Sequence, residues 1–552
     1  MKKNNPKKNI KTILSYHEQT KHHFHRLARS LGFLDWANQP HPFRIYDGAP
    51  IIQLEFTQPH ENIPYEQLYM GTVTPRPIHE YSIANFFRYA MGLSAWKQYG
   101  DDRWALRVNP SSGNLHPTES YAVMGPRDEW NTTAAIYHYN PEEHAFQIRC
   151  QFSNHLFDTL AEGLPAPGFF VGLSSIFWRE AWKYGERAFR YCQHDTGHAL
   201  AALRLSAALL GWKLTLLPHW TDEQMTSLLG LTRTQEFNPQ EREEAELIAY
   251  VTPSTQKIDR NHQPDDSIFP LIHSSDWYGS ARATSDEYHP WPIINEAADA
   301  TQATPPGKLP KYKPAPARPF TSQGLSIPAQ KILLQRRSAM DFNPQRSTTL
   351  ENFQQILLRA MPSSQPPWDA LFWPPQIHLL LFVHRVEGLN PGLYLLLRNE
   401  GDEKDLRTAI RKQFLWKKPQ NIDKRLPLYL LQEADCRGIA HEVSCGQTIA
   451  SHSFFSMGML AKFAPAIEQY GPWFYKNLFW EAGTVGQVLY LEAENIGARG
   501  TGIGCYFDDA VHEIVGIKDK SYQSLYHFTI GTPIEDPRLS TLPPYENDPD
   551  FV

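Results

Sequence analysis

No apolar stretch of the 552-residue chain is long enough to cross a bilayer, so a spanning helix is not expected. Cysteine is scarce. The five residues, Cys150, Cys192, Cys436, Cys445 and Cys505, form no Cys-x-x-Cys pair, so neither a disulfide framework nor a zinc site is indicated. Positive charge is not in excess: 53 Lys and Arg stand against 59 Asp and Glu, a net of −6. A phosphate-backbone binder usually carries a basic face, so nucleic acid is not an expected partner. Met1 to Lys11 is basic, but no apolar h-region follows it. A cytoplasmic location with no membrane partner is the default expectation.

What the chain does contain is the same unit twice. Lys183 to Leu231 lies over Gln469 to Ile517 without a gap. Tyr184-Gly185 meets Tyr470-Gly471, Gly197 meets Gly483, Gly211 meets Gly497, and Gly230-Leu231 meets Gly516-Ile517. A fixed register over that span means a duplicated folding unit. The length fits two or more domains at about 100–200 residues each.

The spacing predicts the following order. A helix covers Tyr16 to Leu34 in an N-terminal segment, 1–75. The histidines there, His22, His23 and His25, lack arranged partners, so no metal is expected. The first copy, 76–255, opens with a helix capped by Ser82 and carrying Ile83, Phe86, Phe87, Ala90 and Met91 at helical spacing. A loop at Asn109 to Pro117, strands at Ser120–Met124 and Ala135–Tyr139, and helices at His198–Leu210 and Asp222–Leu229 follow. A Pro-rich linker is expected over 256–324. The second copy, 325–540, repeats the order, with a helix capped by Thr349 and strands at Ile377–Val383 and Leu393–Leu397. Residues 541–552 read as a tail. Two similar domains joined this way are expected to pack as a covalent pseudo-dimer.

Three segments carry chemistry. Arg336-Arg337-Ser338 offers two guanidinium groups and a hydroxyl, a cradle for phosphate; on the tripeptide alone a solvated basic turn is the commoner case. Pro110-Ser111-Ser112-Gly113-Asn114-Leu115-His116-Pro117 presents hydroxyls and amides between two fixing prolines; a well-capped turn explains it equally well. Gly500-Thr501-Gly502-Ile503-Gly504-Cys505 lets the backbone approach a flat ring, although a tight bend after a helix has the same signature.

Together with Trp182 to Tyr191, Gly388 to Tyr394 and Gly500 to Asp509, these segments make the chain resemble the nitroreductase superfamily of FMN enzymes, and within it the SagB/ThcOx-type dehydrogenases. The resemblance covers roughly residues 76–255 and 325–540. It implies an α+β fold with a mostly antiparallel sheet flanked by helices. It also implies FMN bound between paired units, one giving the Arg-Arg-Ser grip and the late glycines, the other the Pro-Ser-Ser loop. Cofactor contacts then fall to Arg336, Arg337, Ser338, Pro110, Ser111, Ser112, Asn114, Gly502, Ile503 and Gly504. Arg538 resembles a basic residue returned to the phosphate by a late strand. Met340 departs from the pattern, standing where many relatives have a basic residue.

The two copies differ at these positions. The first keeps the Pro-Ser-Ser loop but reads Thr74-Pro75-Arg76-Pro77-Ile78 in place of Arg-Arg-Ser, and Leu214, Leu216 and Pro218 in place of the glycines. The second keeps the grip and the glycines but has Gln365 and Pro366 in its loop. One crossed site is therefore expected to be complete and the other lost, giving one FMN per chain.

Lys183-Tyr184 resembles the Lys-Tyr pair that removes a proton in azoline dehydrogenases; a helix-surface lysine is the plainer reading. The expected activity is hydride transfer between flavin and a small or peptidic substrate, with NAD(P)H or oxygen as the second partner. A non-catalytic scaffold that retains the fold is the alternative. Further homo-oligomerisation is left open.

Overall fold

Two sheets share one six-stranded design. The first half contributes β1 (Thr118–Met124), β2 (Ala134–Asn140), β3 (Ala145–Phe152), β4 (Phe169–Ile176), β5 (Lys213–Leu216) and β6 (Glu243–Thr252), ordered β3-β2-β1-β4-β6-β5. The second contributes β7 (Ile377–Val383), β8 (Gly392–Leu396), β9 (Leu428–Glu433), β10 (Phe455–Lys462), β11 (Arg499–Ile503) and β12 (Tyr522–Gly531), ordered β9-β8-β7-β10-β12-β11. Every neighbouring pair in these two runs is antiparallel. The computed structural model describes residues 5–57, 62–302, 309–316 and 327–550.

The central strands are buried from end to end, which explains why β7, Ile-His-Leu-Leu-Leu-Phe-Val, reads as an almost continuous apolar run. Helices cover the sheets. In chain order these include α1 (Pro6–Gln19), α2 (Glu80–Met91), α3 (Phe177–Tyr184), α4 (Ala188–Leu209), α5 (Leu350–Ala360) and α6 (Phe474–Asn495). The ungapped register of the repeat holds in three dimensions: α4 and α6 both have 22 residues and start and end at equivalent positions. They pack on each other at the centre of the molecule, so the interface of the halves is also the core. Thr349 caps α5 as expected, its hydroxyl accepting from Asn352 N at 3.2 Å.

Several expected boundaries move. Ser82 is not the cap of α2; His79 is, and Ser82 is the third helical residue, its hydroxyl accepting from His79 N at 3.0 Å. The helix expected from His198 begins ten residues earlier, at Ala188, because its first turns are buried on all sides and lack the one-sided spacing that marks a surface helix. The N-terminal helix lies at Pro6–Gln19, not Tyr16–Leu34. Asn5 caps it and Pro6 supplies its first residue. Beyond Thr20 the chain is drawn away to the second half, where His22 N donates to Asp508 at 2.8 Å.

The expected linker is mostly structured. Residues 256–302 hold the helices Ile268–His273 and Pro292–Ala300, and a short strand, Asp276–Trp277, extends the first sheet beside β3. Pro310, Pro314 and Pro316 lie in an extended run, whereas Pro305, Pro306 and Pro319 lie outside the described residues. The tail is docked too. Ser540–Leu542 pairs with Leu93–Tyr99 of the first half, and buried Asp548 forms an ion pair with buried Arg88. No helix among the described residues is long and apolar enough to cross a membrane.

Candidate functional site

The helix Ala329–Gln335 ends at Arg336, which turns to extended dihedrals and points across to the first half. Its Nε donates to Val108 O and its Nη2 to Arg107 O, both at 2.9 Å, immediately before the Asn109–Pro117 loop. Its guanidinium lies 5.0 Å over the Tyr490 ring. Its Nη1 is buried and has no hydrogen-bond partner among the described residues. The Arg337 fork is spent on the carbonyls of Leu334, Arg336 and Ser94, each at 2.7 Å. Among the described residues neither guanidinium pairs with a carboxylate; Glu494 takes the Arg337 backbone N–H instead, at 3.1 Å. Burial pulls both arginines below the usual range, Arg337 to about 9 with Arg336 beside it as the second cause. Two adjacent buried cations, one with an orphaned donor, suit an anionic group.

Ser338 runs beside the glycine strand. It bridges to Gly500, and Ala339 N donates to Thr501 Oγ1 at 3.0 Å. Tyr490 ties the pieces together, its hydroxyl lying 2.9 Å from Ser338 Oγ and accepting from Gly502 N at 2.8 Å. The glycines serve differently from the expectation. A Cβ on Gly500 would lie 2.7 Å from Phe528, one on Gly504 2.6 Å from Tyr191, and one on Gly502 would strike the Tyr526 hydroxyl. Their bare faces receive the protein's own aromatic rings. Tyr191 also donates to Gly504 O at 3.0 Å, which brings the first half's long helix onto the second half's strand. Ile503 is buried and points into the second core.

The Pro-Ser-Ser loop has consecutive left-handed residues, Gly113 and Asn114, both at φ 61°. Pro110 is buried, whereas Gly113 is exposed. Ser112 donates from its N to Asp195 Oδ1 at 3.1 Å and from its hydroxyl at 3.3 Å. Ser111 Oγ accepts from His116 N at 2.8 Å, and Asn114 Nδ2 donates to Ala105 O at 2.9 Å. Lys183 and Tyr184 reach this loop: a Cβ on Gly113 would stand 2.6 Å from Tyr184 Oη and 3.2 Å from Lys183 Nζ. The lysine therefore lies at the Pro-Ser-Ser loop. Burial drives the Tyr184 hydroxyl well above its usual range, so it stays protonated. Behind the loop, burial pushes Asp195 up to about 7. Glu180, on α3 and also fully buried, is raised by burial and then by Asp195.

Leu216 and Pro218 stand at the positions of Gly502 and Gly504, beside a cavity of about 50 Å³ lined partly by Trp220, Phe372, Trp473 and Trp480. Cofactor pockets are about 300–1,000 Å³. Lys476 fills the space with two ion pairs, 3.3 Å to Asp222 and 3.4 Å to Glu246. Arg204, the positional counterpart of Tyr490, is locked bidentately to Asp369 at 2.9 and 2.8 Å, in the segment that replaces the Pro-Ser-Ser loop. A larger cleft, about 570 Å³, lies on another face of α3, between Trp178, Glu241 and Trp291.

Arg538 is not brought to the site. Its side chain is 70% exposed and its fork is held by Asp536, two residues back. The nearby basic residue is Arg499, which pairs with Glu494 and Glu535. Met340 is 82% exposed. His23 lies with Glu18 and Asp509, but Lys21 bonds both carboxylates, at 3.3 and 2.8 Å, and holds the place a cation would take. Asp195, Glu180 and Tyr490 escaped the sequence reading. A signal existed for Tyr490: in the repeat it faces Arg204, a change of chemistry at a position buried in both halves.

No family model matches the chain, and no curated protein matches it in sequence. Among solved structures it is similar to a provisionally assigned nitroreductase from Anabaena variabilis, at 22% identity over 95% of this chain and 99% of that chain, with a TM-score of 0.68. This likeness gives both halves together a nitroreductase-like fold. Matches over one part of the chain include a provisionally assigned nitroreductase from Ralstonia eutropha (15% identity, 42% of this chain, 100% of that chain, TM-score 0.27). Another is a chain of the E. coli McbBCD microcin synthetase complex with truncated pro-MccB17 bound (17% identity, 46% of this chain, 96% of that chain, TM-score 0.27).

Proposed function

We propose that the chain is an FMN-dependent oxidoreductase with one cofactor site, formed between its halves from Arg336, Ser338 and the Gly500–Cys505 strand on one side and the Pro110–Asn114 loop on the other. The observation that carries this reading is Arg336. It binds the backbone leading into the first half's loop, sits beside the second half's glycine strand, and keeps a buried donor without a partner. That donor and the exposed Ser338 hydroxyl fit the phosphate end of FMN. FMN, when bound, supplies hydride transfer at its N5.

The chain's own residues then divide the remaining work. Arg337 holds the cradle in shape through three backbone carbonyls rather than touching the anion. Lys183 Nζ, beside Gly113, takes a proton from the substrate or returns one to it. Tyr184, kept protonated by burial, presents its hydroxyl beside Gly113, and Lys183 Nζ lies 5.4 Å over its ring. Asp195 anchors Ser112 from behind. The substrate class is small or peptidic, in the manner of SagB-type dehydrogenases, with NAD(P)H or oxygen as the electron partner.

The second reading, a scaffold without chemistry, is favoured by the aromatic rings seated on Gly500, Gly502 and Gly504. Purified protein separates the two. An enzyme is yellow or becomes so with added FMN, and its flavin spectrum bleaches under anaerobic NADPH, NADH or substrate. A colourless chain that takes up no FMN is the scaffold.

A further inference from the structure

The five cysteines fall into two groups. Cys150, Cys192 and Cys436 are buried, whereas Cys445 and Cys505 are half-buried. Those two, far apart in the chain, lie on neighbouring segments, because Gln447 bonds the carbonyls of both Ser444 and Cys505, and each thiol is the main influence on the other's acidity. The backbone is built to present them. Cys445 has φ 54°, a left-handed conformation that is unfavourable for a non-glycine residue. It is followed by Gly446 at φ 70°. Gln447 clamps the two segments, its Nε2 donating to Ser444 O at 2.9 Å and to Cys505 O at 3.0 Å, and Phe507 N donates to Val443 O at 2.9 Å. On the other side, Gly504 O is held by Tyr191 and Arg187, at 3.0 and 3.5 Å.

We infer that Cys445 and Cys505 form a redox-active thiol pair that a peroxide converts to a disulfide. The inference does not depend on bound flavin. The roles of the two sulfurs are unequal. Cys505 lies on the Arg187 side, where that guanidinium reaches Gly504 O at 3.5 Å, and both the Cys445 thiol and Arg187 lower it, whereas Cys505 raises Cys445. Cys505 therefore takes the attacking role. Cys505 S⁻ attacks one oxygen of hydrogen peroxide, the O–O bond breaks, and hydroxide leaves, giving the sulfenic acid. Cys445 sulfur then attacks Cys505 sulfur. The S–O bond breaks, and the departing oxygen carries the Cys445 proton away as water. The thiolate and the thiol together lose two electrons, peroxide is reduced to one water and one hydroxide, which takes up a solvent proton, and one S–S bond forms.

The first half offers no second copy of this pair, because His219 stands at the position of Cys505. The pair is also next to the proposed cofactor site, since Cys505 follows Gly504 and bears on the Tyr184 hydroxyl.

The test uses the reduced full chain exposed to hydrogen peroxide, quenched with N-ethylmaleimide and mapped by mass spectrometry. The expected product is a peptide cross-linked between Cys445 and Cys505, with Cys150, Cys192 and Cys436 recovered as thiols. Cys445→Ser should leave a Cys505 sulfenic acid that dimedone traps, and Cys505→Ser should leave Cys445 unoxidised. Recovery of both residues as free thiols from peroxide-treated wild-type protein, or equal dimedone labelling of Cys445 in Cys505→Ser, would overturn the inference.

Discussion

Gly197 and Gly483 lie where the two long helices cross, and each can be there only because it lacks a side chain. A Cβ on Gly197 would stand 2.7 Å from Trp480 Cα, and one on Gly483 would stand 3.0 Å from Gly197 Cα and 2.9 Å from His198 N. Their contacts are reciprocal. Gly197 abuts Trp480 O and Gly483 abuts His194 O, and these two residues occupy equivalent places in the repeat. Self-complementary contact of this kind belongs to a twofold interface, here inside one chain. The same symmetry recurs where Tyr65 N donates to Ile327 O at 3.0 Å and Ala329 N to Ile63 O at 2.8 Å.

Alanine at either glycine must push two helix backbones apart. Gly197→Ala or Gly483→Ala should each cost roughly 1–3 kcal/mol, and the pair should not be additive. Denaturant unfolding measures this. Gly438→Ala, in the short helix Arg437–Val443 with open space around it, should be neutral or mildly stabilising. Equal losses at all three positions would contradict the crossing.

The two arginines should separate by effect. Arg336→Ala removes the free buried donor and should weaken FMN binding by about 1.5–3 kcal/mol, roughly 10- to 150-fold in Kd. Arg337→Ala strips hydrogen bonds from three carbonyls and should lower stability first. Flavin fluorescence titration beside thermal unfolding distinguishes them. A variant pair that changes Kd equally and stability equally would refute the division of roles.

Lys183→Gln should leave FMN retention unchanged while turnover falls by about 10²–10⁴. Absorbance gives the first quantity and steady-state kinetics the second. Loss of flavin together with activity would make the lysine a cofactor contact rather than a proton carrier.

Asp195 gives stability a direction with pH. Unfolded, its carboxyl loses its proton near 3.8; folded, burial holds the proton to about 7. Between these values the native state binds more protons, so its stability falls as pH rises, by up to roughly 2–4 kcal/mol complete above pH 7. Glu492, also raised to about 7 by burial, slopes the same way, so only a difference is informative. Asp195→Asn should flatten the curve of unfolding free energy against pH between 5 and 8. An unchanged slope would mean Asp195 is ionised throughout.

The repeat register was legible in the sequence because glycines mark it: Gly197, Gly211 and Gly230 recur as Gly483, Gly497 and Gly516, and the long helices α4 and α6 have the same length. The difference between the halves was legible too, since Leu216 and Pro218 stand at the positions of Gly502 and Gly504. What Gly500, Gly502 and Gly504 are for was not. Their partners Phe528, Tyr526 and Tyr191 are separated from them by sequence and, for Tyr191, by the other half. Asp195 gave no signal because a lone acid in an alanine-rich helix reads as a solvated face, whereas it is buried beneath the loop at Ser112. The structured region 256–302 was hidden by its prolines, several of which begin or flank helices rather than prevent them, as Pro292 does.

Flavin stoichiometry is the most direct test of the claim that a duplicated unit retains one working site. Protein saturated with FMN, freed of excess and denatured to release its flavin, should yield about one FMN per chain, and Arg336→Ala should reduce that yield. Two FMN per chain would contradict the closure of the opposite site by Leu216, Pro218 and Lys476; none would contradict the cofactor site itself.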